Sequence, residues 1–289
     1  SPSRASILTG KYPARTNLTE WLGGRPERDY EKLHHGEKLT ALHDEEQTLA
    51  ETLHQHGYAT ANYGKAHLNK DPRTYGKLKE LGLEKNSIIV FTSDNGGMAA
   101  SNQYRGINHP RATLNSRFAS SNLPLRGAKG WNYEGGIRVP VIVHWPGEIQ
   151  PNSTSHAIVT GTDHYPNLLE MLSLPALPDL HVDGRSFVPA LKAEDYDRGP
   201  IYWHFPHYSN HGFQSPGGAV RCGRYKLLEY YENGTVQLFD LENDIGEQND
   251  LAKSKPEITQ KLKKMLHDWR DKVDAKMPYP KTATSKPAP

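Results

Sequence analysis

The pattern of apolar positions changes character near residue 200. Before that point, short helical stretches alternate with brief, unbroken apolar runs. The first segment, 1–16, carries Pro2 and Ser3, which suit a helix N-terminus, and its helix is stopped by Gly10 and then Pro13. Residues 47–55 carry Leu49 and Leu53 one turn apart and end at Gly57. Residues 59–68, ATANYGKAHL, read as a short strand running into a loop. Leu78 and Leu81 share a helical face that Gly82 closes. Ile88 to Phe91 then form a continuous apolar run with β-branched residues, the pattern of a strand buried on both faces. Residues 138–147, RVPVIVHWPG, read as a second such strand, and 162–172, TDHYPNLLEML, as a helix. Helices alternating with buried strands predict an α/β domain with a parallel sheet.

After residue 200 the signals are those of an antiparallel sheet. AVRCGRYKLLEYY, a turn at Asn233-Gly234 and TVQLFDLEN predict a hairpin. Ile258, Leu262, Met265, Leu266 and Trp269 follow at helical spacing. The expected division is therefore a catalytic α/β domain over 1–199 and a smaller C-terminal subdomain over 200–289. The Lys- and Pro-rich tail after Lys276 reads as loose.

Composition narrows the class only modestly. With 289 residues, 35% hydrophobic and 24% charged, the chain is globular, with room for one large domain and a small companion. A net charge of +2 gives no reason to expect nucleic acid. The single cysteine, Cys222, excludes an internal disulfide framework and a cysteine zinc site. No run is long and apolar enough to span a bilayer. No signal peptide is visible, and the chain opens on Ser1 rather than Met.

Five clusters carry candidate chemistry, each with a plainer alternative. Arg4, in the first turn of a helix, can grip a tetrahedral anion with two donors where the helix end favours negative charge, or simply be solvated. Asp94 and Asn95, directly after a strand, are hard oxygen donors suited to calcium or magnesium, or a tight Asp-Asn-Gly turn. Lys65 and His67, two apart on an extended segment, point the same way and suit anion binding with proton transfer, or solvation. Lys129 lies in a Gly-rich loop whose backbone can approach a ligand closely, or faces solvent. His204, His207 and His211, with Trp203, Phe205 and Tyr208, suit a sugar-binding rim, a zinc site or a structural cluster.

The order of these signals is more specific than any one of them. Pro2, Ser3, Arg4, Thr9 and Gly10 come first, then Gly64 to Leu68, Thr92 to Gly96, Gly127 to Pro140, Tyr225 to Leu227 and Leu238 to Asp244. In this order the chain resembles the formylglycine-dependent sulfatases of the alkaline phosphatase superfamily over nearly its whole length. The resemblance implies a mostly parallel central sheet flanked by helices, with a small C-terminal antiparallel sheet plus helix. It implies a sulfuric ester hydrolase in which Asp94 and Asn95 bind Ca2+. Arg4 and Lys65 would hold a formylglycine diol, His67 would hydrogen-bond it and help release sulfate, and Lys129 would bind the sulfate beside the leaving oxygen. His204 and His207 would reach a sugar hydroxyl. The implied substrate is a sulfated carbohydrate or aryl sulfate, and the implied location periplasmic or secreted.

Two departures from the family pattern go with the resemblance. The nucleophile position would be the residue immediately before Ser1, and the first pair of metal-binding aspartates would lie further upstream. Between Lys70 and Gly76 the family's long segment, with a histidine that contacts sulfate, has no counterpart, so a polypeptide of this sequence alone is expected to be inactive. The rival readings are a phosphoester or phosphonate hydrolase of the same superfamily and a non-catalytic sulfated-sugar-binding relative.

Overall fold

A computed structural model describes residues 2–21, 24–58, 80–98, 121–209 and 214–281. Helix α1 (Pro2–Thr9) begins with proline in its first turn and ends at Gly10, whose φ of +66° only glycine adopts readily. After the short strand β1 (Leu33–His34) comes α2 (Leu49–Gln55). A capping box starts α2: the Glu51 amide donates to Thr48 Oγ1 while the Glu51 carboxylate accepts from the Thr48 amide. Strand β2 (Ile89–Thr92) is followed by the single-turn α3 (Glu134–Ile137) and β3 (Val141–His144). Next are α4 (His164–Met171), the short α5 (Val188–Leu191) and β4 (Ile201–Phe205). Strands β5 (Gly217–Cys222), β6 (Tyr225–Tyr230) and β7 (Val236–Asp240), helix α6 (Pro256–Lys272) and β8 (Tyr279–Pro280) complete the order.

Strands β4 to β7 form an antiparallel meander in sequence order, with Ala219 opposite Leu228 and Val220 opposite Leu227. Alternation along each strand sends these residues to opposite faces. Val220, Leu227 and Leu238 meet Leu262, Leu266 and Trp269 of α6, together with Tyr12 and Ala14 from the turn after α1. Tyr202 stacks on Trp269 with ring centroids 4.8 Å apart. Ala219, Leu228 and Phe239 pack on the other face against Tyr133. Both faces are therefore covered. A separate cluster of Leu49, Tyr165 and Leu169 joins α2 to α4.

Two expectations change. The hairpin is part of a larger sheet, because IYWHF, read as an aromatic rim, is strand β4. The two runs read as buried parallel strands pair antiparallel, Ile89 opposite His144 and Thr92 opposite Val141. Phe91 and Ile142 remain 39% and 60% exposed. Among the described residues no strand pairs in parallel. Apolar content predicts burial but carries no information about strand direction. Among those residues, too, no helix is long and apolar enough to cross a membrane.

Candidate functional site

Arg4, Asp94, Asn95 and Lys129, from three separate stretches of chain, line one cavity of about 1490 Å³. Each is presented by a simple local device. Arg4 occupies the first turn of α1, and its guanidinium donates from Nη2 to Asp94 Oδ2 at 3.3 Å. Ser3 Oγ donates to the Asp94 carbonyl at 2.6 Å, so the helix start is tied to the end of β2 through backbone as well as side chain. Asp94 and Asn95 leave β2 directly. The Asn95 amide nitrogen donates to Gly96 O at 2.9 Å, which leaves its oxygen as the donor atom for a cation.

The turn after β2 is locked to the loop that carries Lys129. Gly96 N donates to Gly136 O (2.9 Å), and Lys129 N donates to Gly97 O (3.0 Å). The Asn122 side chain clasps Gly97, accepting from its amide at 3.0 Å and donating to its carbonyl at 3.1 Å. The crossing is so close that a Cβ on Gly96 would lie 1.9 Å from Gly135 O. Glycine is required there by contact rather than by backbone angle.

Behind α3 lies a buried charge cluster that sequence reading missed. Lys226 Nζ lies 2.9 Å from Glu134 Oε1 and 3.0 Å from Glu247 Oε1. Glu247 Oε2 also accepts from the Glu134 amide at 2.7 Å. Burial opposes ionisation of Glu134, but Lys226, Arg221 and Arg138 together outweigh it and hold the carboxyl below its usual range. Burial dominates at Glu247, whose one ion-pair partner among the described residues is Lys226, and pushes its carboxyl up. The cluster joins β6 of the meander to the loop carrying Lys129. Its sequence signal was weak: one lysine beside the apolar pair Leu227 and Leu228 of a strand.

The histidines expected at the rim are interior. His204 borders the cavity but is only 8% exposed, and both ring nitrogens are engaged. Nε2 lies 3.2 Å from the Lys276 carbonyl, which can only accept, so Nδ1 accepts from the Tyr231 hydroxyl at 2.9 Å. Burial pushes its pKa down to about 4. His207 has no exposed surface, does not line the cavity, and holds Nε2 2.8 Å from Thr19 Oγ1. Both rings are turned inward, His204 from β4 and His207 from the chain just after it. Lys65, His67 and His211 lie outside the described residues.

As a chemical site, the cavity pairs hard oxygen donors with two cations. Calcium takes roughly six to eight oxygen ligands, and Asp94 with Asn95 fits as two of them. Arg4 and Lys129 supply positive charge for a tetrahedral anion beside that position.

Comparison with known proteins bears on what uses this chemistry. The model of the family described as Sulfatase matches residues 1–77 and 72–174, and that of N-sulphoglucosamine sulphohydrolase, C-terminal, matches 128–272. A sulfatase of Formosa agariphila is 32% identical over 73% of this chain and 39% of its own length. An N-acetylgalactosamine-6-O-sulfatase of Bacteroides thetaiotaomicron is 28% identical over 65% of this chain and 37% of its own. The crystal structure of Ps i-CgsB in complex with k-i-k-neocarrahexaose superposes with a TM-score of 0.55 at 28% identity, covering 68% of this chain and 39% of that one. The chain thus spans about two fifths of the length of the relatives it matches.

Proposed function

Because the chain belongs to the sulfatase family, we propose that the whole protein hydrolyses sulfate esters of carbohydrates at the cavity lined by Arg4, Asp94, Asn95 and Lys129. The observation that carries this reading is their convergence on one cavity from positions 4, 94–95 and 129. Sugar as the substrate class is supported by the sulphoglucosamine family match over 128–272 and by the N-acetylgalactosamine-6-O-sulfatase relative.

In this reading Asp94 and Asn95 hold Ca2+, which when bound supplies positive charge for the oxygens of the sulfuryl group. The nucleophile is a formylglycine at the position before Ser1, next to the first turn of α1. Arg4 holds that group's oxygen, with the partial positive charge of the helix start behind it. Ser3, through the Asp94 carbonyl, keeps α1 in register with the cation-binding turn. Lys129 neutralises charge on the sulfate and on the departing oxygen, and its loop is held by Gly97 and Asn122. Lys65 and His67 act on the same group, as the resemblance implies. The complete fold is alkaline phosphatase-like, with a mostly parallel sheet, the catalytic domain ending near 199 and the meander with α6 forming the C-terminal subdomain. We place the protein in the periplasm or outside the cell.

The test is Lys129→Ala in the full-length protein, assayed on a sulfated sugar and on its phosphorylated counterpart. Loss of a properly placed charge stabiliser lowers kcat by about 10²–10³-fold. Near-normal sulfate release with an unchanged circular dichroism spectrum would sink the assignment of Lys129. Faster turnover of the phosphate ester would sink the sulfatase reading.

A further inference from the structure

At one margin of the cavity, the segment after α1 passes the end of β4, and three residues distant in sequence meet. Glu20, His35 and His207 each bring one donor atom within 4.8 Å of the other two. Glu20 and His207 are 4% and 0% exposed, and the His35 side chain is 10% exposed. Two nitrogens of this cluster, His35 Nε2 and His207 Nδ1, are buried with no hydrogen-bond partner. Leaving two such atoms unpaired costs stability unless something occupies the space between them.

The surroundings prepare these nitrogens as electron-pair donors. His207 Nε2 faces Thr19 Oγ1 at 2.8 Å. When Thr19 accepts the Nε2 proton, the Nδ1 lone pair is left for the cluster. Metal-binding histidines are held by such outer partners.

We propose that Glu20, His35 and His207 form a binding site for a divalent transition-metal ion, with zinc the best match. Two imidazoles and one carboxylate are the donor set zinc accepts, whereas calcium and magnesium take oxygen shells. The site shares no residue with Asp94 and Asn95 and does not depend on the sulfatase reading. Its role is structural. It pins the segment bearing Thr19 and Glu20, which lines the cavity, to the exit of β4.

Lys38 is the built-in competitor. Its ammonium contacts Glu20 Oε2, while Glu20 Oε1 accepts from the Arg25 amide at 3.0 Å. The Lys38 side chain is 21% exposed, so it can swing to solvent when a cation takes the carboxylate. Glu31, paired with Arg25 and 3.6 Å from His35 Nε2, stands ready to complete the shell.

The experiment uses the full chain, stripped with a chelator and dialysed against zinc in excess calcium, which saturates oxygen-donor sites. The measurements are bound zinc per chain and the melting temperature. The wild type is expected to retain one zinc and to melt higher with it. His35→Gln should weaken zinc binding at least tenfold, and Thr19→Val about 10–100-fold. Lys38→Met, by freeing Glu20, should tighten it, whereas losing a merely structural ion pair would not. The proposal is overturned if the wild type retains no zinc, if His35→Gln binds it as tightly, or if Lys38→Met fails to tighten binding. An X-ray map collected at the zinc edge with only water between the two rings would overturn it as well.

Discussion

Lys226→Met tests the buried cluster behind α3. The substitution keeps the stem volume and removes one ammonium that lies 2.9 and 3.0 Å from two carboxylates. Lys226 and Glu247 have no side-chain exposure, and Glu134 has 3%. Glu134 would keep Arg138 at 3.6 Å and Arg221 at 3.8 Å; among the described residues Glu247 would keep no side-chain ion pair. An isolated buried carboxylate takes up a proton rather than remain charged. Protonating a carboxyl of ordinary pKa 4.5 at pH 7 costs about 3.4 kcal/mol, at 1.36 kcal/mol per unit. Because burial already raises the Glu247 carboxyl in the wild type, that figure is the ceiling on the loss, at the lower end of the range of about 3–5 kcal/mol typical of a broken buried pair.

The same argument fixes the pH dependence of the loss. In the variant the folded-state pKa of Glu247 is raised far above its unfolded value, so its penalty grows as pH rises above 4.5 and is small near that pH. The loss should shrink to about 0.7 kcal/mol at pH 5. Urea unfolding of both proteins at pH 5 and pH 7 measures this, and Lys226→Met/Glu247→Gln should recover most of the loss. A penalty below about 1 kcal/mol at pH 7, or one that does not change with pH, would refute the reasoning.

Two further outcomes are expected. Leu266, with no exposed surface between α6 and the meander, should cost about 2–5 kcal/mol on truncation to alanine, read by urea denaturation. A loss under 1 kcal/mol, on the order of a surface change, would mean that this face is not the core. His164 and His204 both have pKa values pushed down to about 4 by burial. Below their unfolded value of 6.5 the unfolded chain binds protons that the folded chain refuses. Stability should therefore fall by about 1.4 kcal/mol per pH unit per histidine as pH drops from 6.5 toward 4, and be flat in this respect above 6.5. Melting curves across that interval check it, and an acid side as flat as the neutral one would contradict it.

Much of the local structure was legible because it rests on short-range signals. Pro2 and Gly10 bracket α1, Leu49 and Leu53 one turn apart mark α2, and the Asn233-Gly234 turn sets off β6 from β7. Asp94 and Asn95 were legible because a polar pair after an apolar run marks a strand's exit. What escaped depends on partners far along the chain. The direction of β2 and β3 is fixed by pairing between residues 89 and 144, which no window of sequence contains. The aromatic segment at 201–205 hid a strand because its alternation is written in Trp, His and Phe, residues that also line binding sites. Glu20, His35 and His207 looked unrelated for the same reason.

The glycine crossing at 96, 135 and 136 has a consequence for engineering. Main chain rests on main chain there, so the alignment of Asp94 with Lys129 is set by backbone contact together with the Asn122 clasp. The three positions without a side chain are closed to substitution, because a Cβ at any of them would lie within about 2.5 Å of a main-chain oxygen. A saturation library across 121–138 would therefore show, besides losses at Lys129, at Glu134 of the buried cluster and at the left-handed Gly127 and Gly130, two sharp vetoes at 135 and 136, where even an alanine methyl would strike a main-chain oxygen.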